Sequence, residues 1–182
     1  NIKYYLTMPD KSFLLSIDSK KIKYGLSRTK ALLRACNNPE RSLRLVQIVG
    51  TNGKGSTAAM LVNVLINNNY NTGLFTSPHL VELNERIRIN NHNIPDSFIE
   101  KFLTRYKKEI SSIEPSFFEI MTALSLCYFK NNDVDIAILE TGLGGRWDSV
   151  TAAKSKIIIF TPIDFDHIAI LGNTLEKIAK EY

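Results

Sequence analysis

The chain has 182 residues, of which 44% are apolar and 23% charged, the make-up of a soluble globular protein that can bury one substantial core. Its net charge of +5 suits a polyanionic ligand, but the lysines are scattered, with only short pairs such as Lys20-Lys21 and Lys107-Lys108, so no nucleic-acid partner is expected. No run approaches the ~18 uninterrupted apolar residues of a membrane-spanning helix. The N-terminus, with Lys3, Asp10 and Lys11, lacks a signal-peptide core, and Cys36 and Cys127 form no Cys-x-x-Cys pair. The expectation is a single domain over residues 1–182, cytoplasmic and monomeric, with no membrane contact and two buried free thiols.

Residues 1–19 are ambiguous, since Phe13, Leu14, Leu15 and Ile17 suit a short helix or an apolar cap. From Gly25, the positions Leu26, Leu32, Leu33 and Cys36 predict a helix that stops before Asn37-Asn38-Pro39. Residues 44–49 are the first strand; after a glycine-rich loop, Ala58, Leu61, Val62, Leu65 and Ile66 recur at helical spacing. Thr72 to Thr76 is a second strand ending at Ser77-Pro78-His79, and residues 84–95 alternate through Arg86, Ile87, Arg88 and Ile89 into Asn90-Asn91-His92-Asn93, a strand and turn. One helix is predicted from Asp96 through Ile110, with Phe98, Phe102, Leu103 and Tyr106 on its apolar face, and a more deeply buried one over Ser116 to Lys130. Residues 135–139 and 156–161 are core strands, the second apolar on both faces, and Asn173 to Glu181 is a closing helix capped by Asn173 or Thr174. Continuous apolar strands separated by helices argue an α/β fold, a mostly parallel sheet with helices on both faces.

The first strand runs into Gly50-Thr51-Asn52-Gly53-Lys54-Gly55-Ser56 and then a helix, an arrangement suited to phosphate. Glycines admit oxyanions to the backbone, a helix N-terminus offers unpaired N–H groups, and Lys54 adds a full charge. The spacing departs from the common Gly-x4-Gly-Lys-Ser/Thr pattern, because Ile48 stands five before Gly53 and Gly55 separates Lys54 from Ser56. A glycine turn before a core helix would explain Gly50 and Gly53 but not a lysine between two glycines. Strand ends in an open α/β sheet share one edge, so Ser77, Glu140 and His167 could bring a hydroxyl, a carboxylate and an imidazole to Mg²⁺ there. Singly, Ser77 reads as a turn residue and His167 as a structural histidine. Arg146 and Asp148 could contact an anionic substrate or pair with one another; Glu119 could favour a helix N-terminus or bind a polar heterocycle stacked on the phenylalanines. His79 and His92 carry no signal.

In order, these motifs resemble the folylpolyglutamate synthase and dihydrofolate synthase family of the Mur ligase superfamily. The resemblance rests on Gly25-Leu26 with Arg28, Asn38-Pro39, Gly50 to Ser56, Thr76-Ser77-Pro78-His79-Leu80, Asn84-Glu85-Arg86-Ile87, Phe118-Glu119, Glu140 to Arg146 with Asp148, and Asp166-His167 before Leu171-Gly172. It implies an ATP-dependent amide ligase with a P-loop central domain, in which a carboxylate of dihydropteroate or a folate is phosphorylated by ATP and then attacked by L-glutamate. It further implies Thr51, Asn52, Gly53, Lys54, Gly55 and Ser56 at the ATP phosphates, Ser77, Glu140 and His167 on Mg²⁺, and catalytic roles for Lys54, Glu140 and His167. Ile22, Lys23, Tyr24, Ser116, Phe117, Phe118, Glu119, Trp147, Asp148 and Ser149 correspond to pterin-substrate contacts. The chain departs from the family at Trp147-Asp148-Ser149-Val150-Thr151, where Asp-Ala-Thr-Asn is usual, and at Tyr182, where a carboxylated lysine fifteen residues after His167 completes a second Mg²⁺ site. The family's C-terminal glutamate-binding domain is not among the 182 residues, so the isolated chain is expected to be inactive. The competing readings are another Mur-type ligase domain, a self-contained P-loop phosphotransferase or ATPase, against which Gly55 argues, and a non-catalytic nucleotide-binding fragment.

Overall fold

The computed structural model describes residues 11–17 and 25–182. In chain order these form α1 (Lys11–Ser16), α2 (Ser27–Ala35), β1 (Arg44–Val49), α3 (Lys54–Asn67), β2 (Thr72–Phe75), β3 (Ile87–Ile89), β4 (His92–Asn93), α4 (Asp96–Arg105), α5 (Lys107–Ile113), α6 (Phe117–Asn131), β5 (Ile136–Glu140), β6 (Ile157–Phe160), α7 (Ile168–Leu171) and α8 (Leu175–Lys180). Three 3-10 turns, at Pro39–Ser42, Leu83–Arg86 and Ser149–Ala153, lie between them.

The strands make one sheet in the order β4-β3-β2-β5-β1-β6, with β2, β5, β1 and β6 parallel and the β3-β4 hairpin antiparallel. Side chains alternate across it as the pleat requires. Leu45, Phe75, Ala137 and Leu139 join one core with α2, α4, α5 and α6; Val46, Ile48, Leu74 and Ile138 join another beneath Ala58 and Val62 of α3. Both faces of β1, β2 and β5 are thus covered, as their near-continuous apolar sequences require. Helix α6 is buried along almost its whole length, from Phe117 through Phe129, which is why its sequence is apolar on every side. The β3-β4 turn uses Asn90 and Asn91 at φ 48° and 66°, a left-handed conformation that asparagine tolerates.

Two expectations are revised, and of the two caps expected for the last helix one is found. The helix predicted over 96–110 is two, because the chain breaks at Tyr106, whose ring packs 4.9 Å from that of Phe102 while Ile110 enters the same core from α5. Strand β6 is not buried on both faces: among the described residues it pairs only with β1, at the sheet edge, with Ile157 57% and Phe160 59% exposed. The last helix begins at Leu175, capped by Thr174, whose Oγ accepts from Lys177 N at 3.2 Å.

Candidate functional site

Parallel register decides where the polar strand ends meet. Ile48 pairs with Glu140, Phe75 with Leu139 and Val49 with Phe160, so the segments after β1, β2, β5 and β6 leave the sheet along one edge. In the loop after β1, Thr51 and Asn52 donate their N–H groups to Pro162 O at 3.0 and 3.2 Å. Gly50, at φ +132°, lies so close to Thr161 that a Cβ would stand 2.7 Å from its carbonyl oxygen, so only glycine fits there. The first bond of α3 runs from Thr57 N to Gly53 O, leaving the preceding N–H groups at its N-terminus without helical acceptors. Lys54 bends back over the loop, its Nζ donating to Gly50 O at 2.6 Å and Thr51 O at 3.1 Å.

Beside this loop stands Glu140, only 5% exposed. Its Oε2 accepts the N–H of Ser77 at 3.2 Å, and a Cβ on Gly55 would lie 3.8 Å from its Oε1. Burial raises its pKa, opposed by the Ser77 N–H and by the charges of Lys54 and Arg86. The buried carboxylate therefore joins the phosphate loop to the end of β2.

A cavity of about 360 Å³ opens on the other side of Ser77. Ser116, Phe117, Phe118, Glu119, Trp147, Asp148 and Ser149 line it together with Ser77 and His167. Ile22, Lys23 and Tyr24 lie outside the described residues. Glu119, besides lining the cavity, is a helix-end carboxylate, held in a capping box with Ser116 and receiving Arg28 Nε at 3.1 Å and Thr29 Oγ at 3.3 Å. Asp148 does not pair with Arg146, whose guanidinium stacks 5.3 Å from the Trp147 ring. Instead it accepts three backbone N–H groups, from Gly142, Leu143 and Val150, at 2.9 to 3.0 Å, so it shapes the glycine loop that walls the cavity. Burial pushes its carboxyl up to about 6 against those donors and Lys54. That loop in turn holds the last residues: Gly145 N and Arg146 N donate to Glu181 O, and a Cβ on Gly145 would meet Tyr182 O at 2.5 Å.

Ser77 and Glu140 thus converge, while His167 shares the cavity without touching Glu140; its Nε2 lies 3.6 Å from Asp166. A hard divalent cation suits Ser77 and Glu140, an oxygen pair whose buried carboxylate has a single N–H donor and lone pairs to spare. The hydroxyl of Tyr182 reaches 3.2 Å from Thr51 Oγ, which also bonds to the backbone of Asp164. Two residues escaped the reading of the sequence. Arg86 is buried at the cavity wall, and His79 accepts its Nε–H at 2.8 Å. The signal that could have found them is the seven-residue spacing between the residue after Ser77-Pro78 and the arginine of Asn84-Glu85-Arg86.

A phosphate loop that meets a buried carboxylate at the mouth of a mostly apolar cavity, all on one edge of a parallel sheet, belongs to the Mur-ligase type of nucleotide-binding domain. E. coli FolC in complex with DHPP and ADP superposes on the chain with a TM-score of 0.87 at 32% identity, over 93% of this chain and 41% of that one. The chain belongs to the folylpolyglutamate synthase/dihydrofolate synthase family. It is 40% identical to the dihydrofolate synthase/folylpolyglutamate synthase of Bacillus subtilis, over 88% of this chain and 39% of the relative. It is 36% identical to the folylpolyglutamate synthase of Lacticaseibacillus casei, over 84% of this chain and 37% of the relative. A Yersinia pestis bifunctional folylpolyglutamate synthase/dihydrofolate synthase complexed with AMPPNP and Mn ion matches with a TM-score of 0.84 at 30% identity, over 93% of this chain and 42% of that one. The chain therefore spans about two fifths of the length of these proteins. No family model matches it.

Proposed function

We propose that these residues form the ATP-, Mg²⁺- and pterin-binding part of a ligase that joins L-glutamate to dihydropteroate or to a folate through an acyl phosphate. The observation that carries this reading is Glu140, a buried carboxylate set between Gly55 of the phosphate loop and Ser77 at the cavity. Relatives named dihydrofolate synthase and folylpolyglutamate synthase, and structural neighbours holding ADP, DHPP or AMPPNP with Mn ion, support it. The N–H groups at the start of α3 and the remaining proton of Lys54 would receive ATP phosphates, with Asn52 acting through its side chain because its N–H is bound to Pro162, and Thr51, whose N–H and hydroxyl proton go to Pro162 O and Asp164 O, holding the loop in shape. Ser77 and Glu140 would hold Mg²⁺, with His167 reaching from across the cavity. Bound there, the ion would supply charge neutralisation for phosphoryl transfer. Phe117, Phe118 and Trp147 give a flat heterocycle apolar surface, and Asp148 keeps the loop over it in shape. The buried free thiols of Cys36 and Cys127 suit a reducing, cytoplasmic setting.

Calorimetric titration of the chain with MgATP, with metal-free ATP and with dihydropteroate tests the reading. Both ligands should bind, and Glu140→Gln should weaken MgATP more than ATP alone. Indifference to nucleotide with and without Mg²⁺ would refute it. Given MgATP, dihydropteroate and glutamate together, the isolated chain should yield no glutamylated product by mass spectrometry, because positioning of the amine is worth ~7 to 11 kcal/mol of barrier. Robust glutamate-dependent ligation would show that these residues are more than a binding part.

A further inference from the structure

Arg86 is 8% exposed and is the one lysine or arginine among the described residues that line the cavity. Its guanidinium carbon stands 5.2 Å over the Phe117 ring, and it forms no ion pair with a carboxylate of any described residue; Glu140 is the acidic charge that supports it from a distance. A buried cation without a paired anion is costly unless a ligand supplies one. The Nε–H is committed to His79 Nδ1 at 2.8 Å, which leaves the two terminal nitrogens for that ligand. A guanidinium can only donate, so His79 Nδ1 carries no proton and the ring is neutral with its hydrogen on Nε2. Burial, then Arg86 and more weakly Lys11, lower the His79 pKa, against Glu85, which favours the imidazolium. The segment bearing His79 is itself fixed: Glu85 accepts the N–H groups of Leu80 at 2.8 Å, Val81 at 3.2 Å and Glu82 at 2.9 Å, next in sequence to Arg86.

We propose that His79 is a positioning residue, which as a neutral Nδ1 acceptor aims the Arg86 guanidinium into the cavity to receive the carboxylate of the acceptor substrate. This rests on the ligase reading above, and it assigns a task to two residues in the wall between the pterin cavity and Glu140. The arginine's flat fork suits a carboxylate held bidentately, and the bond from Nε prevents rotation of that fork toward Glu140.

The test compares two probes, pteroate and the same molecule without its carboxylate, by calorimetry on the chain at neutral pH. In the unmodified chain the carboxylate should raise affinity by about tenfold or more, the scale of one charge-assisted bond. Arg86→Gln should erase that difference, His79→Leu should cut most of it, and His79→Asn should restore it, because Oδ1 of asparagine can accept where Nδ1 does. Full carboxylate discrimination in a folded His79→Leu variant would overturn the positioning role and leave the ligase reading standing. An unmodified chain that ignores both probes would overturn the ligase reading, and the positioning role with it. Independently of any ligand, ¹⁵N spectra should show His79 Nδ1 unprotonated at neutral pH; a proton on Nδ1 would refute the proposal.

Discussion

Lysine 54 has two tasks that one substitution can separate. Its ammonium donates two of its three protons to Gly50 O and Thr51 O, closing the loop on itself. Lys54→Ala removes both bonds, and with each worth about 0.5 to 1.5 kcal/mol in a half-buried setting the variant should lose about 1 to 3 kcal/mol of stability, read as a lower urea midpoint. Phosphate binding then draws on the third proton and on the charge, so the nucleotide should gain one charge-assisted contact, about 1.5 to 3 kcal/mol, or a tenfold to hundredfold loss of MgATP affinity in the variant. Lys54→Met keeps the stem over the loop and should separate packing from charge. A stability loss in Lys54→Ala with unchanged MgATP affinity by calorimetry would mean that the lysine is only a strut, and the phosphate-site argument would fail.

Glu119→Gln keeps the bond to the Ser116 N–H but removes the charge facing Arg28, a pair whose arginine is partly solvated; a loss of about 1 to 3 kcal/mol in chemical unfolding is expected, and none would show the pair to be idle. Asp148 has a folded pKa raised by burial to about 6 from an ordinary 3.8, so its contribution to stability is fully present below pH ~4 and declines by about 3 kcal/mol as pH rises through 6. Asp148→Asn should flatten that part of the pH profile, and an unaltered profile would assign it to another group. Gly145→Ala places a Cβ against Tyr182 O, so the amides of Gly145 and Arg146, which donate to Glu181 O, should exchange with solvent faster than in the unmodified chain.

What could be read from the sequence is what chain continuity fixes. A strand, a glycine-lysine loop and a helix follow one another covalently, so Gly50 to Ser56 declare their arrangement without help from the rest of the fold. Ser77 and Glu140 could be placed on one edge because every parallel strand ends on the same side. The role of Glu119 stayed open because its partners Arg28 and Thr29 are 91 and 90 residues away, a separation no local pattern bridges. Arg86 was hidden differently: Arg86-Ile87-Arg88-Ile89 alternates as a strand with outward arginines, yet Arg86 closes a 3-10 turn that swings its side chain inward. The exposure of β6 was equally unreadable, since an apolar strand does not report how many neighbours it has in the sheet.

Residue 182 shows how far position and chemistry can part. The resemblance implies a ligand of a second Mg²⁺ at this position, and the fold brings the Tyr182 hydroxyl to 3.2 Å from Thr51 Oγ, beside the phosphate loop. Two glycines make that approach possible by letting the end of α8 lie against the loop after β5. The implied residue, a carboxylated lysine, would bring a negative charge and two metal-binding oxygens; a phenol brings one neutral oxygen that can share a proton with a hydroxyl. A second divalent cation at this place would therefore lack its charged ligand, and Glu140 would remain the buried carboxylate able to compensate a cation beside the phosphate loop. It follows that Tyr182→Phe should leave Mg²⁺-dependent nucleotide affinity within about twofold, the effect of one part-buried neutral hydrogen bond that holds the loop and not the ion, whereas Glu140→Gln should lower it by about tenfold or more. Equal losses in the two variants, measured by the same titration, would show that Tyr182 takes part in holding the ion and that the argument from its charge is wrong.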